Sequence, residues 1–347
     1  MLAFRSSTAR LLSAGPLLTA LVACLLLVGC GNADSTNVLD SMNTLVGHSD
    51  LTKNILDIYG TIFWIDTFLF ILVQGVLIYA VIKFRARGDE KTLPEQVHGN
   101  LKMELGWTIA PVFVLMLIAI PTVSFIFESQ APAGKDAIVV NATGKQWWFQ
   151  FGYPGYGFET ANELHIPAGR QIDLRLQSDN VIHAFWAPQL TAKRDMMPGR
   201  VNHITFTADR AGTYLGQCAE YCQDSHALMK FRVVVESLED FEKWAAHQKE
   251  GVPEAEAKSA GFEAFQGATC VACHAISGTS AQAAIGPNLT HVGSRTHIAA
   301  GVLENNEANM RAWLKNPDAV KPGSKMPNLN LSDEQITTLV AYLQTLK

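Results

Sequence analysis

Residues 218–229 read CAEYCQDSHALM, with two cysteines, a histidine and a methionine at spacings of four, four and three. A disulfide needs only the cysteines, and a zinc site has little use for a thioether. Thiolate, imidazole and thioether together select copper over hard cations. Cys218 and Cys222 can point into one pocket from a loop between strands, and His226 and Met229 continue the same loop. A second histidine is expected from another strand end, where His183 fits, in SDNVIHAFWAPQL. A mononuclear blue-copper site uses one cysteine with two histidines, so the second cysteine points away from that chemistry.

A second cluster lies downstream. Cys270-Val-Ala-Cys273-His274 is C-x-x-C-H, the attachment pattern of c-type haem. Two thioethers fix the porphyrin, and the adjacent histidine reaches the iron from one face. The sixth ligand must come from far along the chain. Met326, in the Pro- and Gly-rich loop PGSKMPNL, is the expected partner, with His291 and His297 as rivals. A His/Met pair raises the iron potential and suits electron transfer. A thioredoxin-like redox pair would need a βαβ context, and the residues around this motif do not supply one.

These clusters need a scaffold. Hydrophobic residues make up 48% of the 347, charged residues 17%, and the net charge is −5. No basic excess argues for nucleic acid. The apolar excess falls in three runs before residue 130. The first, behind Arg5 and Arg10, fits an export signal over residues 1–29. Its end, Leu27-Val28-Gly29-Cys30, resembles a bacterial lipoprotein lipobox, which implies cleavage before Cys30 and lipidation of its thiol. Residues 58–82 and 106–127 are long enough to span a bilayer. The connection between them carries Lys83, Arg85, Arg87, Lys91 and Lys102, so it is expected on the cytoplasmic side of the plasma membrane. The N-terminus and everything after residue 130 then face outward. Asp66, inside the first run, reads as reaching a partner or interfacial water.

From 136 to 236, short β-branched and aromatic runs alternate with turn signals, as in Ile172-Asp173-Leu174-Arg175-Leu176. This predicts a small antiparallel sandwich or barrel. A charged, Ala-rich helix and a linker near Pro253–Gly261 follow. The last segment has helical punctuation: Ser332 and Gln335 form a capping-box pattern ahead of apolar positions 336, 339, 340 and 343. The division is therefore a tether and two-span hairpin over 30–130, a β domain over 131–250 and an all-α domain over 251–347.

C-x-E-x-C-x-x-x-H-x-x-M with an upstream histidine resembles the copper A site of subunit II of haem–copper cytochrome c oxidases. The likeness extends through GKQWWFQFGY, SDNVIHAFWAPQL and MMPGR, and the last segment resembles class I cytochromes c, with Pro287 placed as in that family. Together these resemble subunit II of a caa3-type oxidase with a fused cytochrome c. The resemblance implies a cupredoxin-like β-sandwich in which Cys218 and Cys222 bridge two coppers and His183 and His226 bind one each. Met229 and the Glu220 carbonyl would be weak ligands, and the Glu220 side chain would touch a magnesium shared with subunit I. Trp147 would be where electrons reach the copper, and Glu104 would lie near a proton path. Subunit I, subunit III, a cytochrome c donor and membrane lipid are the implied partners. Oxygen reduction and proton pumping would reside in subunit I. A quinol oxidase subunit II shares the hairpin and sandwich but not the ligands. A membrane-anchored electron-carrier or copper-binding lipoprotein outside an oxidase complex would have no need of the two-span hairpin.

Overall fold

The computed structural model describes residues 42–85, 96 and 98–347. The export signal, Cys30 and most of the connection between the apolar runs lie outside the described residues.

Among the described residues, two long helices come first, α1 (Asp50–Lys83) and α2 (Leu101–Ser129). Each begins ahead of its apolar run, because its polar cap sits outside that run. Ser49 and Thr52 form a capping box at α1, and the Asn100 side chain accepts the Lys102 and Met103 amides at α2. Pro111 and Pro121 lie inside α2 without ending it. Large side chains along both helices are exposed, Trp64, Phe68 and Phe113 among them, an apolar surface that lipid or partner helices would cover. The start of α1 is tied to the β domain. Ser49 donates to the Leu190 carbonyl at 2.7 Å, Thr52 to the Gln189 carbonyl at 3.0 Å, and Asp50 accepts the Thr207 amide at 2.8 Å.

Ten strands follow: β1 (Ile138–Lys145), β2 (Trp148–Tyr153), β3 (Phe158–Ala161), β4 (Glu163–Pro167), β5 (Gln171–Ser178), β6 (His183–Trp186), β7 (Arg194–Met196), β8 (Asn202–Thr207), β9 (Gly212–Cys218) and β10 (Lys230–Glu236). They form two five-stranded sheets, ordered β3-β2-β1-β5-β8 and β4-β10-β9-β6-β7. The sequence suggests an all-antiparallel arrangement, but β1 with β5 and β4 with β10 run parallel. Alternation could not reveal this, because the side-chain period of two is the same in either direction. Phe149, Phe151, Phe185 and Phe231 are fully buried between the sheets. Their rings approach to 4.4 Å for Phe185–Phe231 and 4.7 Å for Phe149–Phe231. Gly216 makes room for this stack, since a Cβ there would fall 2.1 Å from the Phe231 ring.

Helix α3 (Leu238–Gln248) buries Phe241 and Ala245 against the sandwich. The stretch read as a linker holds a single helical turn, Glu254–Ala257. The C-terminal unit is built on α4 (Ala260–Gly267), α5 (Glu307–Lys315) and α6 (Asp333–Thr345). Ser332 and Gln335 close the capping box at α6, and Ile336, Leu339, Val340 and Leu343 form its buried face. Pro317 both ends α5 and opens the next turn, Pro317–Val320.

Candidate metal centres

The first site sits where β6 and β9 end together. In their antiparallel pairing Phe185 lies opposite Cys218, which brings His183, two residues earlier, over the cysteine. The loop from 219 to 225 returns through the turn His226–Leu228 into β10. It is closed by the Cys218 amide donating to the Met229 carbonyl at 2.9 Å.

The donor atoms converge. Cys218 Sγ lies 3.7 Å from Cys222 Sγ, 3.8 Å from His183 Nδ1 and 3.2 Å from the Glu220 carbonyl oxygen. Cys222 Sγ lies 3.6 Å from His226 Nδ1 and 3.9 Å from Met229 Sδ. His183 and Met229 are fully buried, and the two cysteines nearly so. The sulfurs are too far apart for the ~2.05 Å of a disulfide bond. They are close enough to share an ion at metal–sulfur distances of about 2.3 Å. The thiols share protons unequally. A hydrogen bond from Cys222, helped by His183 and nearby backbone, holds Cys218 well below the usual thiol range, while that same bond and burial push Cys222 up. A buried, preformed set of two sulfurs, two imidazoles, a thioether and a carbonyl fits copper.

Surrounding residues support this set, and of them the sequence singled out only Trp147. His183 Nε2 donates to Asn180 Oδ1 at 2.9 Å, which leaves Nδ1 facing the sulfur. Gly144 on β1 lies under the ring, where a Cβ would come within 2.8 Å of it. The Gln146 side chain donates to the Cys222 carbonyl at 3.1 Å, and the Trp147 indole donates to the same oxygen at 2.8 Å. Asn180, in the turn three residues before His183, was the most findable of these.

The second site is a cavity of about 410 Å³ lined by Cys273, His274, Pro287, Leu289, His297 and Met326, with Trp147 and Trp148 of the β domain on its wall. Cys270 opens the short turn Cys270–Ala272 that delivers Cys273 and His274. His274 Nδ1 donates to the Pro287 carbonyl at 2.8 Å, which fixes the ring and frees Nε2 for iron. Gly286 backs the same ring, with 2.6 Å between an added Cβ and His274 Cε1. The size, the apolar lining and the anchored histidine fit a haem. Of the rivals to Met326, His291 lines a different cavity and points its Nε2 at the Glu250 carbonyl, 3.2 Å away. His297 shares the wall with Met326 and pairs its Nδ1 with Thr296 Oγ1 at 3.0 Å. No disulfide joins Cys218, Cys222, Cys270 or Cys273.

The two sites meet at Trp147, which is 3% exposed. The chain's own C-terminal unit covers it: Lys321 donates to its carbonyl, and Lys325 Nζ sits 5.0 Å over its ring. Burial pushes Lys321 down to about 7. Glu104 joins neither site. It accepts the Asn100 amide at 3.1 Å, at the start of α2.

The family model for the transmembrane domain of cytochrome c oxidase subunit II matches residues 40–125, and that for its periplasmic domain matches 157–238. The cytochrome c model matches 259–347. Cytochrome c oxidase subunit 2 of Alkalihalophilus pseudofirmus is 35% identical over 80% of this chain and 82% of its own. That of Bacillus subtilis is 36% identical over 78% of this chain and 82% of its own. Among solved structures, the periplasmic domain of subunit II of cytochrome oxidase from Bradyrhizobium japonicum is 31% identical, covering 34% of this chain and 97% of that one, with a TM-score of 0.33. On the length and identity of its match to these relatives, the chain belongs to the cytochrome c oxidase subunit II family, with a cytochrome c domain at its C-terminal end.

Proposed function

We propose that this chain passes electrons from its haem to its copper centre through the contact at Trp147. It is a two-span membrane protein with outward-facing C-terminal domains and a subunit of an oxidase complex, with subunit I and a cytochrome c as partners. Copper and haem c are its cofactors. Finer assignments are our reading. Cys218 and Cys222 would hold the two coppers together with His183 and His226, and Met229 and the Glu220 carbonyl would be weaker ligands. Cys270 and Cys273 would attach the haem covalently, and His274 and Met326 would hold its iron. The Glu220 carboxylate would hold magnesium at the boundary with subunit I, subunit III would complete the complex, and Glu104 would sit near a proton path. Lipid on Cys30, after removal of residues 1–29, would be a second anchor beside the hairpin. The three-part division at about 130 and 250 assigns one task to each part.

When bound, the metals supply one-electron chemistry, which in the assembled oxidase runs from cytochrome c towards haem a and oxygen reduction in subunit I. The residues supply position. The Asn180 and Pro287 oxygens each hold a histidine with its free nitrogen facing the metal site. The buried sandwich excludes water from the sulfurs, and the short, closed loop limits how far the ligands can move when the charge changes. Trp147 carries the reading: one side chain walls the haem cavity and donates to the Cys222 carbonyl.

Metal analysis and a haem stain on the purified chain test the assignment, with two coppers expected per haem. His226→Asn should remove the copper signal and leave the haem absorbance. A copper-to-haem ratio near one, or loss of both signals together, would contradict two separate sites with a binuclear copper.

A further inference from the structure

The proposed path requires the haem-bearing unit to rest on the copper loop in one fixed pose. We propose that Lys321 is the positioning residue that sets this pose, by donating from Nζ across the seam to the carbonyl of Trp147 and, within its own unit, to that of Ala299. This inference rests on the reading above and names the device that makes its contact reproducible.

Three observations carry it. First, Lys321 is 4% exposed, and among the described residues its Nζ makes no ion pair with a carboxylate. A lysine buried without one is costly, so its hydrogen bonds are the use of it. They join Trp147 of the β domain to Ala299 of the haem unit. Second, the segment that receives it is shaped for the contact. Ala299, Ala300 and Gly301 hold successive φ angles of 54°, 58° and 75°, a conformation two alanines adopt only when their surroundings impose it. Held so, Ala300 accepts the amide of Lys230 at 3.1 Å, and Lys230 directly follows the copper ligand Met229. Third, the residues after Lys321 lie along the copper loop. Ser225 donates to the Pro322 carbonyl. Gly323 passes so close to Asp224 that a Cβ would come within 2.9 Å of it. Three residues further on is Met326. One short segment thus joins the haem's sixth ligand to the copper loop, with Lys321 at its root.

A second clasp lies away from the copper loop, behind the His297 wall of the haem cavity. Glu163, 6% exposed on β4, accepts the Thr296 amide at 2.8 Å, the His297 amide at 3.3 Å and the Thr296 hydroxyl. With this side fixed, loss of Lys321 should loosen the seam near Trp147 without releasing the unit.

The test uses the full chain in its purified oxidase. In the parent, rapid photoreduction of the haem should be followed by haem oxidation and copper reduction with one shared time constant. If the parent shows no such transfer, the reading of the path fails, whatever Lys321 does. In Lys321→Met the transfer should slow on the order of tenfold, because small misplacements have large rate costs. Haem absorbance and the copper resonance signal should stay unchanged. Amide hydrogen exchange at Lys230, read without reference to turnover, should speed up, while Thr296 and His297 keep their protection. A parental transfer rate with parental exchange at Lys230 overturns the proposal, and so does loss of the haem or copper spectrum. If Lys321→Met does not accumulate, Lys321→Gln keeps an N–H donor on a shorter stem and should be slowed to a lesser degree. A parental rate in that variant overturns it equally.

Discussion

His183 donates from Nε2 to Asn180 and lies over Gly144, so its metal-facing nitrogen is set by two residues that bind no metal. Asn180→Ala should therefore leave the fold intact and weaken copper retention by roughly 10–100-fold, the usual cost of losing a partner behind a ligand. Competition with a copper chelator measures this, and parental retention would contradict the role. Most of the proposed copper and haem ligands could be read from the sequence because they are local: five of the six proposed copper groups lie within twelve residues, and Cys270, Cys273 and His274 within five. Their supports could not, because Gln146, Gly144 and Lys321 reach the sites only through tertiary contacts. Family likeness pointed to Trp147 as the place where electrons would reach the copper. The sequence did not disclose that this chain's own C-terminal unit covers it.

At the scale of elements, caps and periodicity did most of the work. The apolar runs located α1 and α2 but not their starts, which polar caps at Ser49 and Asn100 set ahead of the runs. Helix α6 follows its sequence pattern closely, with cap and buried face both where the spacing puts them. That face closes the core of the haem unit, where Leu339 is 1% exposed and Leu343 also lines the haem cavity. Leu339→Ala should destabilise this unit by about 2–5 kcal/mol. Thermal melting followed at the haem absorbance should show the loss, with the copper signal melting at its parental temperature. A common fall in both would mean that the two units unfold as one. Strand direction was the feature that alternation could not give. The parallel β1–β5 and β4–β10 pairs come from crossovers between sheets, which leave no mark on a period of two.

Across the whole molecule, each part along the chain has its own task, and the proposed electron path runs from the last part back towards the first. The hairpin holds the protein in the membrane, and the capped start of α1 is bonded to the β domain through Ser49, Thr52 and Asp50. The sandwich brings two strand ends and one loop together around the sulfurs, and the C-terminal unit lays its cavity against Trp147. On the proposed path, a chain arranged this way carries its own electron donor instead of waiting for a collision. The central claim is that Cys218 and Cys222 hold two coppers that act as one centre. Electron paramagnetic resonance of the oxidised, copper-loaded protein tests it most directly. A signal from one unpaired electron shared over two copper nuclei is the predicted result, and a signal confined to a single copper nucleus would contradict it.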